Sequence, residues 1–168
     1  TLFRSMLRDR ERILDLFEMT CGARLLYNYM WIGGLSHDLP VGFVESTYKF
    51  LDYFEPKIDE FVNLLVHNKI FVERTADIGV MPQDVAISYG VTGPNLRASG
   101  LKWDLRRDDP YSIYNKFEFE VPVGEGGKGS VGDCWDRFYV RVLEMKESIK
   151  IVRQALASMP KDGDVHQS

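Results

Sequence analysis

Three stretches of the chain repeat apolar residues at spacings of three, four and seven, the period of an amphipathic α-helix. The first lies within the first twenty residues, the second runs from about residue 41 to 67, and the third runs from Asp133 to Met159. Alternating apolar residues, which mark a half-buried strand, occur at 117–121. We therefore predict a mainly α fold with a helical core and a short β-hairpin or strand near 117–131.

Glycine and proline mark where these helices should bend or end. Cys21-Gly22 should close the first helix, and Gly33-Gly34 should end the helical or irregular stretch that follows. Pro56 should kink or divide the second helix. Pro160 should stop the third helix and leave a frayed polar tail over 161–168.

Shorter elements are predicted between the second and third helices. Short helices are expected over 68–75 and from Pro82 onward. Residues 91–115 should form an ordered loop with short helical turns, because apolar periodicity is weak there. The glycine-rich stretch 124–130 should form a mobile, hairpin-like loop.

Composition and charge exclude several classes of protein. A chain of 168 residues with 45% hydrophobic and 27% charged residues fits one globular domain and not a disordered or collagen-like protein. Its 21 basic and 25 acidic residues give a net charge of −4, so no overall basic field favours nucleic acid. No apolar run is long enough to span a membrane, so we expect membrane contact only through a partner. The chain begins at Thr1, and we expect a processed or excised piece of a longer protein.

The chain has two cysteines, Cys21 and Cys134, and neither belongs to a CxxC pair. We expect two reduced, buried thiols and no zinc or iron-sulfur ligand set within this segment.

His37 and Asp38 follow a Gly-Gly turn and are candidates for a catalytic dyad. A catalytic dyad also needs a nucleophile or substrate within hydrogen-bonding range, and no motif supplies one. Asp38 fits better as an N-cap or turn residue ahead of the second helix. The acids of this region should form a solvated face: Asp38, Glu45, Asp52, Glu55, Asp59 and Glu60.

Cationic and acidic side chains are dense in the loop from Arg97 to Tyr111, which contains Trp103, Asp104, Arg106 and Arg107. Arginine–carboxylate pairs and arginine–aromatic stacks fix loops at interfaces. No phosphate-binding glycine motif is present. We therefore predict a buried structural network or a subunit interface and rank a phosphate site below it.

A third set, Gly132 to Arg137, begins the last helix. Asp133 or Asp136 should cap that helix. Cys134 is a reactive thiol if the helix N-terminus lowers its pKa, but a capping turn that anchors Trp135 in the core is the better interpretation.

These segments together resemble the 49 kDa subunit family of respiratory complex I, and the similarity runs from Thr1 to about Pro160. The resemblance rests on the following motifs, in this order: Cys21-Gly22-Ala23-Arg24, Tyr29, Gly33-Gly34, Asp38-Leu39-Pro40, Arg74 to Val80, Arg97 to Gly100, Trp103 to Arg106, Pro110-Tyr111, Val121 to Gly124 and Gly132 to Arg137.

The resemblance implies a helical core like that of the [NiFe]-hydrogenase large subunit, with residues 1–160 as the central part of the family's domain. It implies electron transfer from NADH through FMN and iron-sulfur clusters to quinone, coupled to proton translocation. Those cofactors belong to partner subunits, and none is expected on this segment. The implied partners are other peripheral-arm subunits, above all the one with the terminal iron-sulfur cluster. The implied location is peripheral, on the cytoplasmic side of the cell membrane.

The family's quinone-binding His and Tyr and its functional Asp precede the segment that starts at Thr1, so the resemblance implies no catalytic residue here. Phe3 alone is placed near the quinone channel, and Trp31 stands where many relatives have Arg. The expected structural or interface residues are Arg97, Trp103, Asp104, Arg106, Arg107, Asp133 and Arg137. Two alternatives stay open: a fragment of a membrane-bound [NiFe]-hydrogenase-like large subunit, or a non-catalytic helical interaction module.

Overall fold

Helices dominate the structure, a computed structural model that describes residues 2–160 and 163–166, without the side chains of Leu2, Phe3 and Ser5. The predicted mainly α fold is confirmed. The described helices are α1 (Leu2–Cys21), α2 (Phe43–Phe61), α3 (Lys69–Thr75), α4 (Gln83–Ser88), α5 (Gly93–Ala98), α6 (Leu105–Asp108) and α7 (Cys134–Ser158). The chain divides into two units, one of Thr1–Phe54 with Leu156–Ser168 and one of Glu55–Ala155.

In the first unit, α1 ends where the sequence predicts. Gly22 adopts a φ of 70° and donates its amide to the carbonyl of Glu18 at 2.8 Å, a helix-ending turn that glycine accepts without strain. The next segment, residues 23–29, is irregular. Arg24 ties it to α1 by ion pairs of 2.6 Å with Asp15, 3.1 Å with Glu18 and 2.5 Å with Glu11.

The structure places its hairpin early in the chain. Strand β1 (Met30–Trp31) pairs antiparallel with β2 (Gly34–Leu35). The Leu35 amide donates to the carbonyl of Val165 at 2.9 Å, and Gly34 forms a bridge with His166. The predicted frayed tail is therefore wrong for Val165 and His166, whose backbone pairs with β2. The rest of the predicted tail, 161–162 and 167–168, lies outside the described residues.

The strand or hairpin predicted near 117–131 is absent from those residues, all of which the structure describes. The alternation itself is real, since Phe119 and Val121 are buried while Glu118 and Glu120 are exposed. The hydrogen bonds of this extended chain go to side chains of α7 instead of a second strand. Glu118 donates its amide to Gln154 at 2.8 Å and accepts from the same side chain at 2.7 Å.

The prediction that Pro56 divides the second helix is wrong. Pro56 lies inside α2, which continues to Phe61 and passes into a π-helical turn, Val62–Val66. A proline removes one helical hydrogen bond. The buried side chains of Leu51, Ile58 and Phe61 recur along α2 at helical spacing, and their burial offsets that loss.

The second unit contains the short helices that the sequence predicts. Asn68 caps α3 by accepting from the amides of Ile70 at 3.0 Å and Phe71 at 3.3 Å, and α4 follows Pro82. Residues 91–115 form an ordered loop with the turns of α5, α6 and a 3-10 helix, Tyr114–Lys116. All six predicted surface acids between 38 and 60 are exposed.

The core of this unit places the extended segment against α7. Phe119, Val121 and Ile151 form one buried cluster, with Tyr114 and Phe117 packed on it. This packing brings α7 close to the loop that contains α5 and α6.

Candidate functional site

Arg97 is the centre of a buried charge network in the second unit. It lies near the end of α5 and is only 6% exposed. Its guanidinium donates from Nε to Glu144 at 2.6 Å and from Nη1 to the Trp103 carbonyl at 3.1 Å. Glu144 is on α7, so the pair joins the loop to the long helix. A buried guanidinium needs such partners, because an unpaired buried charge is strongly destabilising.

Asp104 is the second buried member of the network. Its carboxylate caps α6 by accepting from the Arg106 amide at 3.0 Å, and it also accepts from Arg106 Nη2 at 2.7 Å. Arg97 Nη1 lies 3.4 Å from the same carboxylate. Burial pushes the pKa of Asp104 upward, but the Arg106 hydrogen bonds and the nearby arginine charges outweigh it and hold that pKa below its ordinary value.

Arg106 and Arg107 extend the network over an aromatic surface. The hydrogen bond to Asp104 raises the pKa of Arg106, whose guanidinium lies 5.0 Å from the Phe119 ring centre and 5.9 Å from that of Tyr114. Arg107 donates to the Phe119 carbonyl. Both arginines therefore bind the loop to the buried core cluster.

A cavity of about 340 Å³ opens beside the network. The residues that line it are Thr92, Gly93, Arg97, Trp103, Asp104, Leu105, Arg106 and Tyr111. The charged groups in this lining are paired with one another or with Glu144. The arrangement can fix the shape of the loop.

The start of α7 holds a second cluster. Asp133, which has no exposed surface, caps the helix by accepting from the Asp136 amide at 2.8 Å and also accepts from the Asp77 amide at 2.9 Å. Asp136 accepts from the Gly126 amide at 2.9 Å. Burial raises the pKa of Asp136. Of the two predicted caps, Asp133 caps the helix, and Asp136 holds the glycine-rich loop through Gly126.

Trp135 and Arg137 anchor the neighbouring chain. The Trp135 indole is buried and donates to the Val66 carbonyl at 3.1 Å. Arg137 donates to the Gly79 carbonyl at 2.9 Å and lies 3.0 Å from the sulfur of Cys134. Cys21 and Cys134 are free, and the prediction that both are buried is wrong, because each is half-buried. Each lies at a helix terminus, where packing covers only part of the side chain.

His37 occupies a structural position in the first unit. One ring nitrogen lies 2.7 Å from Ser36 Oγ and the other 2.6 Å from the Thr20 carbonyl, so both are used locally. Asp38 accepts from the Leu39 amide at 2.7 Å, and α2 begins later, at Phe43. Asp38 therefore lies in an irregular segment ahead of α2 and does not cap that helix.

The remaining expectations concern the position of Phe3, metal ligands and contact with the membrane. The side chain of Phe3 lies outside the described part of the structure. In that part no group of three His, Cys, Asp or Glu side chains is arranged to hold a metal ion, and no helix is long and apolar enough to cross a membrane.

Sequence reasoning missed Glu144, the strongest partner of Arg97. The two residues lie 47 positions apart, and no local motif links them. The only signal is that Glu144 falls on the partly buried side of α7, where an acid needs a cationic partner.

The family of the respiratory-chain NADH dehydrogenase 49 kDa subunit matches residues 1–168. An NADH-quinone oxidoreductase subunit from Cytophaga hutchinsonii is 55% identical over 95% of this chain and 41% of its own length. The NADH-quinone oxidoreductase subunits of the same type from Amoebophilus asiaticus and Chlorobaculum tepidum are 56% and 55% identical over 96% of this chain and 40% of theirs. The chain thus spans about two fifths of the length of these relatives.

Proposed function

Since the chain belongs to the 49 kDa subunit family of the respiratory-chain NADH dehydrogenase, we propose that it is part of a subunit of an NADH-quinone oxidoreductase. Its role there is to scaffold the quinone site and the contacts between subunits. Electrons pass from NADH through FMN and iron-sulfur clusters of partner subunits to quinone, and this transfer is coupled to proton translocation. The subunit is peripheral, on the cytoplasmic side of the cell membrane, with the subunit of the terminal iron-sulfur cluster as its main partner.

The chemistry of the chain supports a scaffolding role in preference to a redox role. A typical iron-sulfur cluster needs four thiolates, and the chain has two cysteines, so its residues do not fit a cluster of its own. We also propose that Phe3 lies beside the quinone channel.

The observation that carries the proposal is the buried network of Arg97, Asp104, Arg106 and Glu144. Four charged groups are paired with one another within one loop and one helix. Such a network fixes the shape of a surface, which is what an assembled enzyme requires from a scaffold. Arg107, Trp103, Asp133 and Arg137 fix adjoining segments in the same way.

Replacing Arg106 with Ala tests whether this loop has the proposed scaffolding role. The variant leaves Asp104 buried with its main hydrogen-bond donor removed, so we expect the loop to loosen and the amount of assembled enzyme to fall. Native gel electrophoresis of membranes measures this amount. Lys102→Ala removes an exposed cation of the same loop and should leave assembly unchanged. Equal amounts of enzyme in both variants would contradict scaffolding by this loop.

The purified chain should show no electron transfer from NADH to quinone. Measurable turnover by the chain alone would contradict the proposal, because the donors and clusters are assigned to partner subunits.

A further inference from the structure

Residues 23–29, here called the strap, connect α1 to β1 and have no regular secondary structure. Among the described residues, no amide or carbonyl of 23–28 forms a hydrogen bond with another backbone group. A segment without backbone hydrogen bonds keeps one position only if other contacts offset the conformational entropy that it loses. Side-chain contacts must therefore hold the strap in place.

Arg24 makes the contacts that fasten the strap to α1. Its Nη1 lies 2.6 Å from the carboxylate of Asp15 and 3.1 Å from that of Glu18, and its Nη2 lies 2.5 Å from that of Glu11. The three acids are spaced by four and three residues, so they lie on one face of α1. The hydrogen bonds with Asp15 and Glu18 raise the pKa of Arg24, so its positive charge persists.

The acidic face of α1 depends on this cation. Like charges one turn apart on a helix repel one another. Among the described ion pairs, Arg24 is the cation that contacts Glu11, Asp15 and Glu18. One side chain of the strap therefore reduces the repulsion along the helix and holds the strap against it.

Tyr27 supplies the second contact between the strap and α1. Its ring packs on that of Phe17 with the ring centres 4.5 Å apart, and its hydroxyl donates to the Arg24 carbonyl at 2.8 Å. Phe17 is 40% exposed and Tyr27 is 48% exposed, so their contact removes little apolar surface from water. Several charges in one network contribute more than an isolated surface pair does. The ion pairs of Arg24 are therefore the main fastening.

We infer that Arg24 and its three carboxylates form an electrostatic latch, which holds the strap on α1 when closed and frees the strap when the ion pairs are lost. Each of the three acids is more than half exposed, so dissolved ions screen the pairs and salt opens the latch. A strap held by apolar packing would stay closed as the salt concentration rises. The inference concerns a conformational change of this chain and does not rest on the proposed function.

Chymotrypsin digestion of the chain measures the opening. Cleavage after Tyr27 requires its ring to leave Phe17 and enter the protease, so the rate follows the population of the open strap. Tyr89 is 82% exposed and lies in the second unit, so cleavage after Tyr89 is the reference in the same digest. The ratio of the two rates removes the effect of salt on the protease. Circular dichroism before each digest checks that the helices are intact.

Arg24→Gln should raise this ratio roughly threefold to tenfold at low salt, because the strap then spends more time open. The unsubstituted chain should approach the same ratio in about 1 M NaCl, and the ratio for Arg24→Gln should not change with salt. Arg10→Gln removes an exposed arginine of α1 outside the latch and should behave like the unsubstituted chain. Arg24→Glu with Asp15→Arg exchanges two charges and should restore protection that salt removes.

Two results would overturn the inference. The first is a ratio that does not rise with salt in the unsubstituted chain, and this measurement needs no substitution. The second is an equal ratio for Arg24→Gln and Arg10→Gln, which would mean that the ring of Tyr27 holds the strap without the ion pairs.

Discussion

At the scale of single residues, Arg97 shows how the loop keeps its shape. Its guanidinium is shielded from water and is satisfied by Glu144, Asp104 and the Trp103 carbonyl. The loop's composition predicts a charge network of this kind. It does not predict the main partner, because Glu144 comes from a helix 47 residues away and only the packing of α7 brings it near.

Glu144→Gln should destabilise the chain by about 1.5–3 kcal/mol, because it removes the negative charge from the main partner of buried Arg97 while Asp104 and the Trp103 carbonyl remain in place. Urea unfolding measures this free energy. Glu125→Gln changes an exposed acid and should shift the midpoint little. Equal midpoints for the two variants would mean that Glu144 does not stabilise Arg97.

The two buried acids should respond to pH in opposite directions. The pKa of Asp104 is lowered from its ordinary value of 3.8, so its contribution to stability is present above that value and is lost as the pH falls through the lowered pKa. The pKa of Asp136 is raised, so its contribution grows as the pH falls through the raised pKa.

Urea unfolding across the acidic range checks these signs. The stability difference between the unsubstituted chain and Asp104→Asn should shrink on acidification. The difference measured with Asp136→Asn should move in favour of the unsubstituted chain. Parallel trends for the two variants would contradict the assigned environments.

At the scale of elements, the glycine-rich loop packs tightly against α5. The Gly124 amide donates to the Arg97 carbonyl at 2.9 Å, and a β-carbon at this position would lie 2.0 Å from the Ala98 carbonyl oxygen. Only glycine permits this approach of two backbones. The loop therefore adjoins the charge network directly.

Gly124→Ala should cost roughly 1–3 kcal/mol of stability, because the added methyl group overpacks this contact. Thermal unfolding monitored by circular dichroism measures the change. Gly163→Ala adds the same group where no atom lies within 4 Å, and it should leave the unfolding temperature nearly unchanged. Equal effects would show that the approach to α5 is not tight.

Local sequence patterns are sufficient to predict some of the helices but not the other elements. Periodicity and capping residues predict α1, α3 and α7 well, since those signals are local. The segment 117–121 has the alternation of a strand, but its hydrogen bonds go to Gln154 and Glu147 on α7. The alternating pattern indicates that one face of the segment is buried. It does not indicate whether the backbone hydrogen bonds of the segment go to a neighbouring strand or to side chains of a helix. Nor does it predict β1 and β2, which are two residues each.

At the scale of the whole molecule, the proposed supporting role rests on family membership and on the paired charges of the loop. The chain spans about two fifths of the length of its relatives, and the buried charged side chains of its central loop pair with one another and with Glu144 on α7. Its exposed apolar residues, including Ile32 and Val41, are typical of a chain that meets other surfaces in an assembly.

In the proposed role, the network of Arg97, Asp104, Arg106 and Glu144 supports assembly without taking part in electron transfer. The most direct measurement is the rate of NADH-to-quinone electron transfer per assembled enzyme, taken with the amount assembled, for Arg106→Ala and Glu144→Gln. We predict that the amount falls in both variants while the rate per assembled enzyme stays at the unsubstituted value. Full assembly with quinone reduction lost would contradict the scaffolding role and would mean that the network takes part in the reaction.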